Sequence, residues 1–217
     1  MRIVSIHQPA YNPWLGYFDR IKKSDVFVFL DNVQFEKNSF INRNLIKTAN
    51  GSVWLTVPVS LKGHTQSTIK DILIDNSRDW VRKHLHSVRA SYSRVGSSVK
   101  SQRLERLYNT GFECLSELCY FQLLWWLNEF GIKTQVVRAS DLQVSGKKSE
   151  LILNICDYLG ADFYLSGPHG KDYLDESSFK RKKIKVVYHN FKHPEYPQLW
   201  GDFIPNMGVI DWWMNVY

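Results

Sequence analysis

Residues 2–47 read RIVSIHQPAYNPWLGYFDRIKKSDVFVFLDNVQFEKNSFINRNLIK, and the order of elements in this stretch decides the fold class. Residues 2–6 form an apolar run of strand length, and residues 26–30 (VFVFL) form a second one that is apolar at every position. Apolar runs of this size suit strands buried on both faces of a sheet. Between them, Pro9, Pro13 and Gly16 open a loop, and Tyr17, Phe18 and Ile21 then share one face of a short helix over residues 17–23. The first strand runs out into His7 and Gln8, the second into Asp31 and Gln34. Ligands of parallel α/β sheets bind beyond the carboxyl ends of the strands, so the candidate site is placed there. The stretch closes on Asn42-Arg43-Asn44 and Lys47, polar groups set between the apolar anchors Phe40-Ile41 and Leu45-Ile46.

Working outward, residues 53–59 (VWLTVPV) are a third strand candidate, and residues 69–74 a short strand or edge. Residues 61–68 read as a polar loop carrying Lys62 and His64. The spacing predicts helices over 79–92, 101–109, 113–130 and 149–159, with Gly111, Gly131 and Gly160 as stop signals. The helix over 113–130 is apolar nearly all round and is expected to be buried. Strands are predicted over 133–138, 162–165 and 185–190, with a short helix or turn over 175–182. Strand, helix, strand, followed by repeated helix–strand units, points to a three-layer α/β fold of Rossmann-like type. Its sheet is largely parallel, with helices on both faces. We expect a single domain over 1–217, with the aromatic tail from about residue 191 packed over it, because so much exposed aromatic surface would be a liability.

The 217 residues carry a net charge of +7, unevenly distributed: residues 1–111 hold 17 cations against 8 anions, residues 112–217 hold 11 against 13. The basic half suits an anionic partner, such as a nucleotide sugar. Residues Arg78, Arg82, Lys83, His84, His86 and Arg89 ring one predicted helix. They read either as a solvated face or as a phosphate- or RNA-binding stripe. Cys114, Cys119 and Cys156 form no CxxC pair, which argues against a disulfide framework or a zinc site and fits a cytoplasmic location. No apolar run is long enough for a membrane span, and no signal peptide is expected, since the chain opens directly into a strand.

The candidate catalytic residues are His7, Asp31, His169 and Asp172, since a histidine beside a carboxylate can act as a general base. The candidate substrate-binding residues are Gln8, Tyr11, Trp14, Gln34, Asn42, Arg43, Lys47, Ser166, Gly167, Gly170 and Tyr173. Arg43 offers a planar fork to phosphate or carboxylate, and the glycines of residues 166–170 allow a backbone to approach a ligand closely. Ser145-Gly146-Lys147-Lys148-Ser149 looks like the end of a phosphate loop but lacks its earlier glycine, so an ATPase is set aside. No motif identifies a cofactor, and no metal ligand set is expected.

Several blocks together resemble the WbqC-like family. They are His7-Gln8-Pro9 with Tyr11, residues 13–18 (PWLGYF), residues 30–35 (LDNVQF), Asn42-Arg43, residues 54–59 (WLTVPV), residues 164–167 (YLSG) with Tyr173-Leu174, Tyr196-Pro197-Gln198 and Ile210-Asp211. The resemblance covers essentially the whole chain. Gly208 stands where the family often has serine, and the sequence stops at Tyr217, short of a further turn. Membership implies a transferase of bacterial O-antigen (lipopolysaccharide) biosynthesis, with glycine or another aminoacyl group moved onto an activated sugar or glycolipid. The rival enzyme reading is a nucleotidylyltransferase-like protein, by analogy with folds whose first strand ends in a histidine loop. That analogy has only His7 and no second histidine of an HxGH motif. The non-enzyme rival is an anion- or RNA-binding module.

Overall fold

The computed structural model describes residues 1–60 and 67–216, so most of the predicted loop with Lys62 and His64 lies outside the described residues. In chain order the elements are β1 (Ile3–His7), α1 (Leu15–Lys22), β2 (Val26–Phe29), β3 (Arg43–Thr48), β4 (Gly51–Thr56), α2 (Trp80–Tyr92), α3 (Ser98–Tyr108) and α4 (Leu115–Glu129). They continue with β5 (Gln135–Arg138), α5 (Ser149–Tyr158), β6 (Phe163–Ser166), α6 (Glu176–Arg181), β7 (Lys185–Tyr188) and α7 (Val209–Asn215). The chain divides into two compact units, each described here by itself. The first is Met1–Pro9, Gly16–Val33 and Leu127–Lys192; the second is Ala10–Leu15, Gln34–Trp126 and His193–Tyr217.

The first unit is the α/β fold expected from residues 2–30. Its sheet has the order β5-β2-β1-β6-β7, and every neighbouring pair is parallel. The two-residue period of a strand sorts the side chains onto two faces. Val4, Ile6, Val26, Val28 and Tyr164 pack with Leu151, Ile152, Ile155 and Cys156 of α5 and Phe179 of α6. Ser5 and Phe27 point the other way, toward α1 and the residues that follow it: Ser24 donates from its hydroxyl to Ser5 at 2.8 Å, and the Tyr17 and Phe27 rings meet at 5.4 Å. Helices therefore cover both faces, which is why β2 reads as a continuous apolar run rather than an alternating one.

Chain connectivity reverses at β1. From β1 the chain steps through α1 to β2 on one side, whereas β6 lies on the other. The carboxyl ends of β1 and β6 thus form the topological switch point, where such sheets leave a crevice.

The second unit is built on the β3–β4 antiparallel hairpin, in register from Arg43↔Thr56 to Thr48↔Gly51. The third predicted strand is therefore the return arm of a hairpin, and its partner is the polar segment beginning at Arg43. Residues 69–74 make one tight turn (Ile69–Asp71) and isolated bridges at Leu73 and Ile74, not a strand. The aromatic tail belongs to this unit: Trp213 meets Trp125 and Trp126 edge-on at 5.8 and 5.5 Å, and Tyr196 and Gln198 hydrogen-bond the buried Asp211. Gly208 donates its N–H to the Leu45 carbonyl at 2.8 Å; a Cβ there would stand 2.9 Å from the Asn12 carbonyl oxygen, so a serine needs the backbone to shift.

Candidate functional site

The carboxyl edge of the parallel sheet collects polar groups from all five strands. At the end of β2, Asp31 is buried and accepts two hydrogen bonds from Ser140, one from the backbone N–H at 2.9 Å and one from the hydroxyl at 2.8 Å. Both carboxylate oxygens are engaged, and the residue clamps the ends of β2 and β5 together.

At the end of β1, His7 donates from Nδ1 to the Gln8 carbonyl at 2.8 Å and packs against the Tyr17 ring at 4.9 Å. Burial and, after it, the Arg20 guanidinium pull its pKa down to about 3. His7 is accordingly a neutral imidazole at any physiological pH and a weak proton acceptor.

At the end of β6, Ser166 is buried and donates from its hydroxyl to the Gly167 carbonyl. Gly170 is required here: a Cβ would fall 2.0 Å from the Ser166 hydroxyl oxygen and 2.9 Å from Leu174. Its N–H is bound to the Gly167 carbonyl at 3.0 Å, and Pro168 has none, so this turn offers few donors for an oxyanion. His169 and Asp172 lie 3.6 Å apart with side chains 95% and 74% exposed, a solvated pair on the rim. Tyr173 is half-exposed.

Two groups not singled out from the sequence stand at this edge. His189, just past β7, donates from Nε2 to the Asp19 carboxylate of α1 at 2.6 Å, with side chains 7% and 28% exposed. Its backbone N–H donates to the Ser166 carbonyl at 2.8 Å, which ties the dyad to the end of β6. Burial pushes the Asp19 carboxyl up, but hydrogen bonds from Lys23 and His189 together hold it below the usual carboxylate range. The second group is Arg20, 5% exposed, whose guanidinium forms no hydrogen bond or ion pair among the described residues. A sequence signal for it existed: Arg20 follows Gly16 and Tyr17 by four and three residues, which sets it on the buried stripe of α1.

The remaining candidate residues belong to the second unit, where each has a local partner. Tyr11 is fully buried, its hydroxyl 2.8 Å from both His84 Nδ1 and the Tyr108 hydroxyl. Trp14 packs on Phe40, and Phe40 on Trp54, at 5.6 and 5.8 Å. Gln34 forms a bridge with Thr68. Asn42 donates to the Val57 carbonyl at 2.9 Å. Arg43 lies 4.3 Å over the Trp54 ring and donates to the Asn38 carbonyl at 2.5 Å. Lys47 is 2% exposed and donates from Nζ to the Gly201 and Asp202 carbonyls. Of the basic helix α2, Arg89 pairs with Glu105 and Arg82 with Asp79, while Arg78, just before it, pairs with Asp75; these surface pairs use up much of the stripe's free charge. Cys119 and Cys156 are buried, and burial pushes both thiols up, away from nucleophilic use. Among the described residues no three His, Cys, Asp or Glu side chains are grouped to hold a metal ion, and no helix is long and apolar enough to cross a membrane.

Comparison with known proteins places the chain in a family of the same extent as the fold. It is 33% identical over 222 residues to the uncharacterized protein Rv1507c of Mycobacterium tuberculosis, spanning 100% of this chain and 94% of that one. No solved structure matches it. The WbqC-like protein family matches residues 8–217, from the end of β1 to the last residue, and the chain belongs to that family.

Proposed function

We propose that the protein is a transferase of bacterial surface polysaccharide assembly, moving an aminoacyl group such as glycine onto an activated sugar or glycolipid at the carboxyl edge of its parallel sheet. The observation that carries this reading is the His189–Asp19 dyad, its histidine hydrogen-bonded through the backbone to the end of β6. Amine attack on an activated carboxyl forms the C–N bond as the leaving group departs, and the amine must lose a proton. With Nε2–H of His189 donated to Asp19, Nδ1 is the atom that accepts it, and the carboxylate steadies the imidazolium that results. His7, held neutral, and Ser166 are polar groups at the two strand ends that meet at the switch point. This assignment transfers the role of base from His7 or His169 to His189.

The test is mass spectrometry of the surface polysaccharide from a deletion strain of the producing bacterium, complemented with wild type or His189→Asn. The reading expects an aminoacyl substituent to vanish on deletion, return with wild type and stay absent or scarce with the variant, since a general base contributes about 100- to 10,000-fold in rate. Unchanged polysaccharide on deletion refutes the function; full rescue by His189→Asn refutes the base.

A further inference from the structure

Arg20 is a buried cation with nothing to balance it. Its Nε is sealed from solvent without a hydrogen-bond partner, and no carboxylate pairs with its guanidinium among the described residues. Taking a guanidinium out of water unpaired is costly, so buried charges are ordinarily paired or coordinated. Burial accordingly pushes the Arg20 pKa down, yet an arginine stays charged in proteins. The surroundings are permissive, not neutralising. The ionisable groups around it include Tyr164 and Tyr173, whose hydroxyls burial pushes up and so leaves uncharged, and His7 is kept neutral in part by Arg20 itself.

The position of this charge matters as much as its isolation. A Cβ on Gly167 would lie 2.6 Å from Arg20 Nη1, so the guanidinium rests directly against the backbone where β6 ends, and any larger residue there has to displace the fork. That is the switch-point end of the sheet, beside β1. A sulfur or metal ligand has no counterpart here; a hard oxyanion does, because the planar fork of arginine matches its paired oxygens.

We propose that Arg20, seated against Gly167 and flanked by Tyr17, Tyr164 and Tyr173, is the anion seat of this protein, and that its occupant is a phosphate group of the activated substrate. The inference deepens the transferase reading above by naming the substrate class, a phosphate-bearing activated sugar, and in that respect rests on it. The same phosphate chemistry is present in a nucleotide sugar and in a lipid-linked sugar. Binding to the seat can nevertheless be measured without any transfer taking place.

The experiment is titration calorimetry and thermal denaturation in a phosphate-free buffer, with ionic strength held constant by chloride. The probes are pyrophosphate, uridine diphosphate, a soluble short-chain polyprenyl phosphate and glycine. Wild type is expected to bind at least one phosphate probe and to melt higher in its presence. A nucleotide source is indicated if uridine diphosphate binds tighter than pyrophosphate, a lipid source if the polyprenyl phosphate does. Arg20→Lys, which keeps the charge and loses the fork, is expected to bind about ten- to a hundredfold more weakly. Arg20→Met fills the same space without charge; it is expected to melt at or above the wild-type temperature without anion and to lose the anion-dependent rise. Gly167→Ala, which leaves the charge and displaces Nη1, is expected to weaken binding as well. Glycine binding with no phosphate binding overturns the phosphate assignment. Absence of any anion-dependent shift in wild type, or equal shifts in wild type and Arg20→Met, overturns the seat. Phosphate binding lost with Arg20 while the polysaccharide of a deletion strain is unchanged leaves the seat standing and removes only the transferase.

Discussion

His84 gives the second unit a built-in sensitivity to acid. The imidazole is 5% exposed on α2, donates from Nε2 to the Thr56 carbonyl at 3.1 Å and faces the Tyr11 hydroxyl with Nδ1 at 2.8 Å. Since a carbonyl only accepts, Nε2 carries the proton of the neutral ring. Burial lowers the His84 pKa from 6.5 to about 4, partly opposed by the bond to Thr56. Above pH 6.5 the ring is neutral in folded and unfolded chain alike and contributes no pH dependence. As pH falls below 6.5 the unfolded chain takes up the proton and the folded one does not, so stability declines until the folded ring also titrates near pH 4. At pH 5 the difference is 1.5 pH units, or about 2 kcal/mol at roughly 1.36 kcal/mol per unit. For a chain of this size that corresponds to a fall of about 4–8 °C in melting temperature. His84→Gln keeps an amide donor and cannot titrate. Calorimetry of both proteins at pH 7 and pH 5 is expected to show the variant less stable at pH 7, through lost hydrogen bonds, but falling by about 4–8 °C less between the two pH values. Parallel pH profiles refute the reasoning, because the ring would then be free to protonate in the fold.

Other substitutions probe packing and charge. Gly170→Ala drives a Cβ into the Ser166 hydroxyl and Leu174 and is expected to destabilise by about 1–3 kcal/mol, read by urea denaturation. Arg43→Lys gives up the planar contact with Trp54 and the bond to Asn38, and is expected to cost about 1 kcal/mol in the same assay while leaving uridine diphosphate affinity unchanged. Gly208→Ser pushes against the Asn12 and Leu45 carbonyls and is expected to lower the melting temperature. Replacing Arg78, Arg82 and Lys83 together by Gln removes only surface charge and is expected to leave melting and anion binding as they are, with fluorescence titration of a single-stranded RNA as the control.

What could be read from sequence follows the physics of each segment. The β1 and β2 runs are apolar because the strands are covered on both faces, and that pattern is visible without a structure. So are helix α4 and its glycine stop, although Phe121 and Leu124 leave one face of that helix exposed. The β3 arm of the hairpin escaped notice because its inward positions include Asn44 and Lys47, whose polar ends are turned to carbonyls of Asn12, Gly201 and Asp202. Polar residues paired in this way hide the two-residue period that marks a strand. The sequence shows the cations Arg43 and Lys47 but not the ring and the carbonyls beside them. Arg20 is the converse case, since only the fold reveals that a helix cation has no partner. The His189–Asp19 dyad joins residues 170 positions apart, a pairing that the order of the strands creates and local spacing cannot announce.

The central claim is that the carboxyl edge of the parallel sheet, around Arg20, is where substrate binds. Amide chemical-shift mapping of the labelled protein on addition of pyrophosphate or uridine diphosphate tests it most directly. The account predicts that the largest shifts fall on Gln8, Gly167 and His189, and that they vanish in Arg20→Met. Shifts confined to the hairpin residues Arg43, Asn44 and Lys47, persisting in that variant, would contradict it.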